Sequence, residues 1–373
     1  MQTRGAVIRQ APGKYEVVDL EVDDPRDEEV QVQLVATGLC HSDDHVATGD
    51  MPVGRFPFAG GHEGAGVVTK AGKNTKGLKE GDHVVFSFLP SCGYCRWCAS
   101  GMQNLCDLGA TLLVGSRWND PEDFRLKMLD TGEAVAQMCG ISTFCATTTV
   151  AAASAVKVGD DIPLEVACLV GCGVGTGWGS AVNSAEVRPG DTVIVMGIGG
   201  IGINAVQGAK HAGATNVIAV DPVAFKREKA KELGATHAFD SMEEAAELAR
   251  QFTNGQGADS AIVTVGVTKP EHVAQAFSAI RKAGTCVVTG LGKFNEGPLP
   301  IAISELTLFQ KRLQGAMFGS SNPNWDILRQ LQLYRDGVLK LDELVTKTYT
   351  LDEIQQGYQD MHDGKNIRGV IHY

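Results

Sequence analysis

Asp191-Thr-Val-Ile-Val-Met196 runs into Gly197-Ile-Gly199-Gly-Ile-Gly202, and the reading of this stretch decides the architecture of the chain. The first six residues are apolar and β-branched behind Pro189-Gly190, while residues 203–212 carry apolar positions at helical spacing until Gly213 stops them. The pattern is strand, glycine turn, helix. The first glycine permits the tight turn, the second lets the backbone approach a pyrophosphate, and the third lets the helix pack on the strand. Gly197, Gly199 and Gly202, with Gly200 and Ile201 between them, thus read as a dinucleotide turn at a helix N-terminus. The motif alone is weak, since a merely structural βαβ turn carries the same letters. Its context is stronger: Asn216-Val-Ile-Ala-Val220 reads as a second strand ending at Asp221, about 20 residues beyond the glycines. An acid there accepts hydrogen bonds from ribose hydroxyls and repels a 2′-phosphate, which argues for NAD over NADP.

Outward from this unit, residues 258–265 and 286–290 read as further strands separated by an amphipathic segment at 270–282. Strands alternating with helices build a doubly wound parallel sheet. The N-terminal third differs. Short alternating β-branched runs at 29–37, 64–70 and 82–87, broken by Gly and Pro, suggest an antiparallel, barrel-like domain. Pattern changes near Cys172 and near Met317 mark the junctions, and no repeat, charge run or flexible linker is visible.

At 373 residues the chain has room for two or three domains, and its 43% hydrophobic and 21% charged residues are ordinary for a soluble globular protein. The formal net charge of -11 disfavours sequence-independent attraction to nucleic acid. Residues 1–20 lack the apolar block of an export signal, and the glycine-broken stretch 166–184 holds no membrane-length apolar run, so a cytoplasmic protein with no membrane span is expected.

Four of the ten cysteines cluster as Cys92-Gly-Tyr-Cys95-Arg-Trp-Cys98 followed by Cys106. Two-residue gaps let thiolates turn back on one centre, and four of them close a tetrahedral zinc shell with no position for substrate. A structural zinc is expected. An iron–sulfur cluster uses the same ligand type, and spacing alone does not separate the two. Cys139, Cys145, Cys168 and Cys286 lie singly among small or apolar residues and read as buried hydrophobes.

A second set is scattered: Cys40-His-Ser-Asp-Asp-His45, Gly60-Gly-His62-Glu63-Gly64 and Cys172 within Gly171-Cys-Gly173. Cys, His and Cys would supply three zinc ligands and leave the fourth position open, as catalysis requires. Any one of these residues seen alone is more often a packed thiol or a satisfied imidazole.

In this order, Cys40, Gly-His62-Glu63, the four-cysteine lobe, Gly-Cys172-Gly, the glycine turn and Asp221 resemble the zinc-dependent alcohol dehydrogenases of the medium-chain dehydrogenase/reductase superfamily, over essentially the whole chain. Residues 87–98, 103–110 and 219–228 look most like the actinobacterial nitrosodimethylaniline (NDMA)-dependent members. The resemblance implies an α/β protein with a GroES-like β-rich catalytic domain at 1–173, a Rossmann domain at 174–317, and a return to the catalytic domain at 318–373. It implies catalytic zinc on Cys40, His62 and Cys172, with Glu63 able to approach or exchange onto the metal, and structural zinc on Cys92, Cys95, Cys98 and Cys106. Asp43 matches the acid that orients His62, and Ser42 and His45 match a proton relay, although His45 also reads as a plain surface histidine. Cofactor contacts fall on Thr176, Lys226, Val265 and Arg368, and on His41, a position often Arg in relatives. Members hold NAD firmly and recycle it through an external redox carrier of the mycofactocin type, and they are homo-oligomers.

The implied reaction moves hydride between a primary alcohol or aldehyde and NAD, the zinc lowering the alcohol's pKa much as bound water falls to about 7. A thiol-adduct formaldehyde dehydrogenase, dependent on glutathione or mycothiol, shares the scaffold. A non-enzymatic, lens-type relative would have lost zinc ligands. Trp118, Phe144, Leu291 and Phe318 are candidate pocket walls, each also readable as packing, and the alcohol's chain length is not legible.

Overall fold

The structure, a computed structural model, describes residues 1–373. The chain divides into two compact units, Met1–Cys172 together with Asn322–Tyr373, and Gly173–Ser321.

The first unit is built around the strand Glu29–Gly38. It pairs antiparallel with Gly64–Ala71, placing Val32 opposite Val68 and Thr37 opposite Gly64. Its first half also pairs with Thr147–Ala151 and its end with the C-terminal strand Arg368–His372, where Ile371 faces Thr37. Val30, Val32 and Leu34 are buried as a result. A separate set, Gln2–Ile8, Glu16–Val22, Leu126–Met128, Ala134–Gln137 and Phe58–Ala59, closes into a barrel, which removes the free edges an open sheet would expose. Phe58, Phe86 and Phe144 sit in the core of this unit with no exposed surface. Full burial of each contributes about 1.5–3 kcal/mol.

The second unit is a six-stranded, all-parallel sheet. In space the strands run His237–Phe239, Asn216–Val220, Thr192–Met196, Ala258–Val263, Ile280–Val288 and Arg312–Gly315. By chain order that is third, second, first, fourth, fifth, sixth. The order reverses between Thr192–Met196 and Ala258–Val263, and ligands of such sheets bind beyond the carboxyl ends of the strands at that switch. Thr192–Met196 is buried at every residue, which explains its continuous apolar run.

The elements depart from the sequence pattern at the ends of two segments. The helix expected over 270–282 ends at Ala279, because β-branched Ile280 takes an extended conformation (φ -86, ψ 150) and pairs with Ala258. The strand expected over 258–265 ends at Val263, where Thr264 turns to donate its hydroxyl to Gly197 O at 2.6 Å. Residues 166–184 form short helical turns broken at Cys172 (φ -146, ψ -80), and no helix is long and apolar enough to cross a membrane.

Candidate active site

The first unit brings the scattered set together. Cys40 leaves the strand Glu29–Gly38 in an extended conformation and forms the N-cap of the helix His41–Thr48. His62 and Glu63 follow the short strand Phe58–Ala59 through Gly61, whose left-handed φ of 87° and close approach to Phe144 leave no room for a side chain. The ligand atoms of Cys40, His62, Glu63 and Cys172 all lie within 4.8 Å of one another, and all four residues are buried. Four buried, mutually facing donors of sulfur, nitrogen and oxygen type fit a tetrahedral zinc, for which Zn–S bonds of about 2.3 Å place neighbouring donors somewhat under 4 Å apart.

The charges around this set are coupled. The hydrogen bond from Cys172 holds the Cys40 thiol well below its ordinary value despite burial, and His62 adds to the effect. That same bond, with burial, pushes Cys172 well up. Burial alone would lower the His62 imidazole, yet Asp43 and Cys40 hold it well above its usual value. His62 Nδ1 lies 3.0 Å from Asp43 Oδ2, so the other ring nitrogen is the one left for a metal. Asp43 Oδ1 accepts from Gly61 N at 2.7 Å, and burial raises its carboxyl above the usual range. Burial also pushes Glu63 up to about 7 against the pull of Arg368, whose Nη2 donates to Glu63 Oε2 and, at 3.2 Å, to Leu39 O. Arg368, expected at a phosphate from the resemblance, is thus buried here against Glu63. Ser42 Oγ stands 3.7 Å from Cys40 Sγ, His41 is half-buried in the first helical turn, and His45 Nδ1 lies 3.6 Å from Asp50 Oδ2.

The four-cysteine lobe is equally well formed. Cys92 Sγ lies 3.9 Å from Cys98 Sγ, and Cys95 Sγ 4.0 Å from Cys106 Sγ, close to the edge of a tetrahedron about a single ion. Backbone N–H groups point at the sulfurs: Cys95 N and Tyr94 N donate to Cys92 Sγ at 3.2 and 3.4 Å, and Cys92 N to Cys106 Sγ at 3.3 Å. Donors aimed at a sulfur favour its thiolate form, although burial still pushes Cys106 up to about 12. Bonds from the Cys98 and Asp107 backbones hold Cys95 down at about 6. None of the ten cysteines is in a disulfide. Burial pushes Cys139, Cys145 and Cys286 up to about 12 and Cys168 higher still, as expected of inert packed thiols.

In the second unit, Gly197 turns with a φ of 92°, and a Cβ there would stand 2.9 Å from Val265. A Cβ on Gly202 would collide with Gly197 O, whereas one on Gly199 would meet nothing within 4 Å, which is the open backbone a phosphate needs. Gly200 and Ile201 complete the turn, and the helix Gly202–His211 begins without a side-chain cap, Ile203 N and Asn204 N donating to Gly199 O and Ile201 O at 3.0 Å. Asp221 is buried, and both its oxygens are engaged: Oδ2 accepts from Ile198 N at 2.7 Å and Oδ1 from Val223 N at 2.9 Å. Lys226 is half-buried on the following helix, and Thr176 is buried with its carbonyl accepting from Ser180 Oγ at 2.7 Å.

Among the candidate walls, Phe144 and Phe318 are fully buried core residues, while Trp118 and Leu291 are about half exposed. Two residues at the metal set escaped the sequence reading. Phe88 packs edge-on to His62 at 5.8 Å, and the Tyr15 hydroxyl donates to Asp43 O at 3.1 Å. Neither position carries a local signal, since both act across long sequence separations.

With this geometry in place, comparison with known proteins is informative. The family described as Alcohol dehydrogenase GroES-like domain matches residues 26–219, and that described as Zinc-binding dehydrogenase matches residues 200–332. The chain belongs to the zinc-binding alcohol dehydrogenases of the medium-chain dehydrogenase/reductase superfamily. Within them its likeness is to the NDMA-dependent members: it is 54% identical over 371 residues to an NDMA-dependent alcohol dehydrogenase of Amycolatopsis methanolica, covering 100% of this chain and 99% of the relative. It is also 50% identical over 371 residues to putative alcohol dehydrogenase D of Mycobacterium tuberculosis, covering 100% of both. A crystal structure of an alcohol dehydrogenase zinc-binding domain protein from Burkholderia ambifaria superposes with a TM-score of 0.92 at 34% identity, covering 100% of this chain and 99% of the other.

Proposed function

We propose that this zinc alcohol dehydrogenase oxidises primary alcohols to aldehydes with NAD, which stays bound and is recycled by an external redox carrier. The observation that carries the reading is the convergence of Cys40, His62, Glu63 and Cys172 within 4.8 Å, backed by Asp43 on His62. Cys40, His62 and Cys172 would hold a catalytic zinc, with Glu63 able to approach it, and Cys92, Cys95, Cys98 and Cys106 would hold a structural one. When bound, zinc supplies a Lewis acid that eases loss of the alcohol's proton, and the nicotinamide supplies a hydride acceptor. Asp43 keeps His62 in one tautomer. Ser42 Oγ, beside Cys40, accepts the hydroxyl proton as it passes its own outward, and His45, facing Asp50, stands as the imidazole of that relay. His41, Thr176, Gly197, Gly199, Gly200, Ile201, Gly202, Lys226 and Val265 serve the cofactor, Asp221 favours NAD over NADP, and Arg368 is held against Glu63 beside the metal set.

NDMA dependence of the Amycolatopsis relative supports recycling by an external acceptor, physiologically a mycofactocin-type carrier. The absence of disulfides among ten cysteines supports a reducing compartment such as the cytoplasm. A homo-oligomer is supported by the second unit, whose last strand Arg312–Gly315 ends the sheet while Phe294, Ile303 and Leu308 nearby in sequence are 73%, 79% and 76% exposed.

Metal and nucleotide analysis of the purified protein, followed by an alcohol panel with and without NDMA, tests this reading. The expected result is one zinc per ligand set, stoichiometric NAD, and turnover that needs the acceptor. Ready reduction of added free NAD would indicate an ordinary alcohol dehydrogenase, and strict dependence on glutathione or mycothiol the formaldehyde-specific alternative.

A further inference from the structure

Tyr15 stands behind the Cys40, His62 and Cys172 set in a role that ring packing does not account for. The ring is buried, edge-on to Phe144 at 5.4 Å and stacked on Tyr358 at 5.6 Å. Phenylalanine would make the same contacts. What tyrosine adds is the hydroxyl, which donates to the main-chain oxygen of Asp43 at 3.1 Å. The surroundings are shaped to admit it: a Cβ on Gly60 would lie 2.6 Å from that hydroxyl. Gln355 Nε2, on the C-terminal helix Ile354–His362, also donates to Tyr15 O at 3.1 Å and fixes the residue from the other side.

Asp43 is the residue so held. Its helix starts at Cys40 with no side-chain cap, so the orientation of the first turn depends on contacts from outside the helix. Tyr15 fixes the Asp43 main chain, while Gly61 N and His62 Nδ1 fix its carboxylate at 2.7 and 3.0 Å. A rotation of this turn would carry Cys40 and the partner of His62 together.

We infer that Tyr15 is a positioning residue for the catalytic metal, acting through its hydroxyl on Asp43 and thereby on the geometry of Cys40 and His62. The inference rests on the metal reading above. Tyr358 supplies an internal comparison, because its hydroxyl lies buried in the same stack without a hydrogen-bond partner.

The test compares Tyr15→Phe with Tyr358→Phe in the full-length metal-loaded protein. Release of each zinc to a chromophoric chelator is followed, together with the visible spectrum after cobalt substitution. A direct partner of a metal ligand is typically worth 10–100-fold in metal affinity, so Tyr15→Phe, one bond further out, should speed release from the catalytic set by about threefold to tenfold. It should also shift the cobalt bands, leave release from the four-cysteine lobe unchanged, and not be matched by Tyr358→Phe. Wild-type release and spectrum in Tyr15→Phe, or equal changes in the two variants, would overturn the positioning role. A protein in which Cys172→Ser removes no metal would overturn the metal reading itself, and the inference with it.

Discussion

Replacement of Asp221 by glycine separates two things a carboxylate does at the end of the strand Asn216–Val220. If it only repelled a 2′-phosphate, its removal would trade NAD for NADP at no structural cost. The structure implies otherwise. Asp221 Oδ2 is the acceptor for Ile198 N at 2.7 Å, and Ile198 is fully buried inside the glycine turn. Orphaning a buried donor costs about 1–3 kcal/mol. The second bond, from Val223 N at 2.9 Å, is only partly buried, and water can replace it. At about 2–4 °C per kcal/mol for a unit of this size, the melting temperature of nucleotide-free Asp221→Gly should fall by roughly 2–12 °C. The loosened turn should weaken NAD without bringing NADP up to the wild-type NAD level, so the preference narrows through loss. Asp221→Asn, which keeps one acceptor oxygen, should fall in between. Calorimetry of stripped protein with titration of both nucleotides measures this. Unchanged melting in Asp221→Gly, combined with NADP binding as tight as wild-type NAD binding, would refute the reasoning.

Further outcomes follow from the metal sets and from one ion pair. Cys172→Ala should lose one metal per chain and all turnover with little change in melting, checked by elemental analysis beside a thermal scan. Cys95→Ala should instead lower the melting temperature and remove the other metal, because an unclosed thiolate shell releases its loop. Hydrogen bonds from Lys347 and then Tyr349 hold Asp360 down at about 2, and a native value depressed below the unfolded one of about 3.9 gives stability that is present above that value and lost as pH falls towards 2. Asp360→Asn should therefore lower the urea midpoint at pH 7 and converge with wild type near pH 2.

Local chemistry was legible in the sequence. The strand Thr192–Met196, the glycine turn and the strand ending at Asp221 announced themselves because strand, turn and helix have contiguous signatures, and the four cysteines because zinc needs short spacing. The convergence of Cys40, His62 and Cys172 was legible only through family resemblance, since nothing in the periodicity of residues 29–71 says that Cys172 lies beside them. The arrangement of Arg368 on Glu63 and of Tyr15 on Asp43 was not legible at all. Such pairs are fixed by the register of strands distant in sequence, as where Ile371 meets Thr37, and hydrophobic alternation specifies which face a residue takes but not which strand it will meet.

That same pairing has a temporal side. On the ribosome the Gly173–Ser321 sheet can assemble from strands that emerge consecutively, whereas the end of the strand Glu29–Gly38 must wait for Arg368–His372, a partner made only after the whole second unit. Cys40 and His62 are therefore made well before the strand that completes their sheet, so the first unit reaches its final pairing only after the second has been synthesised.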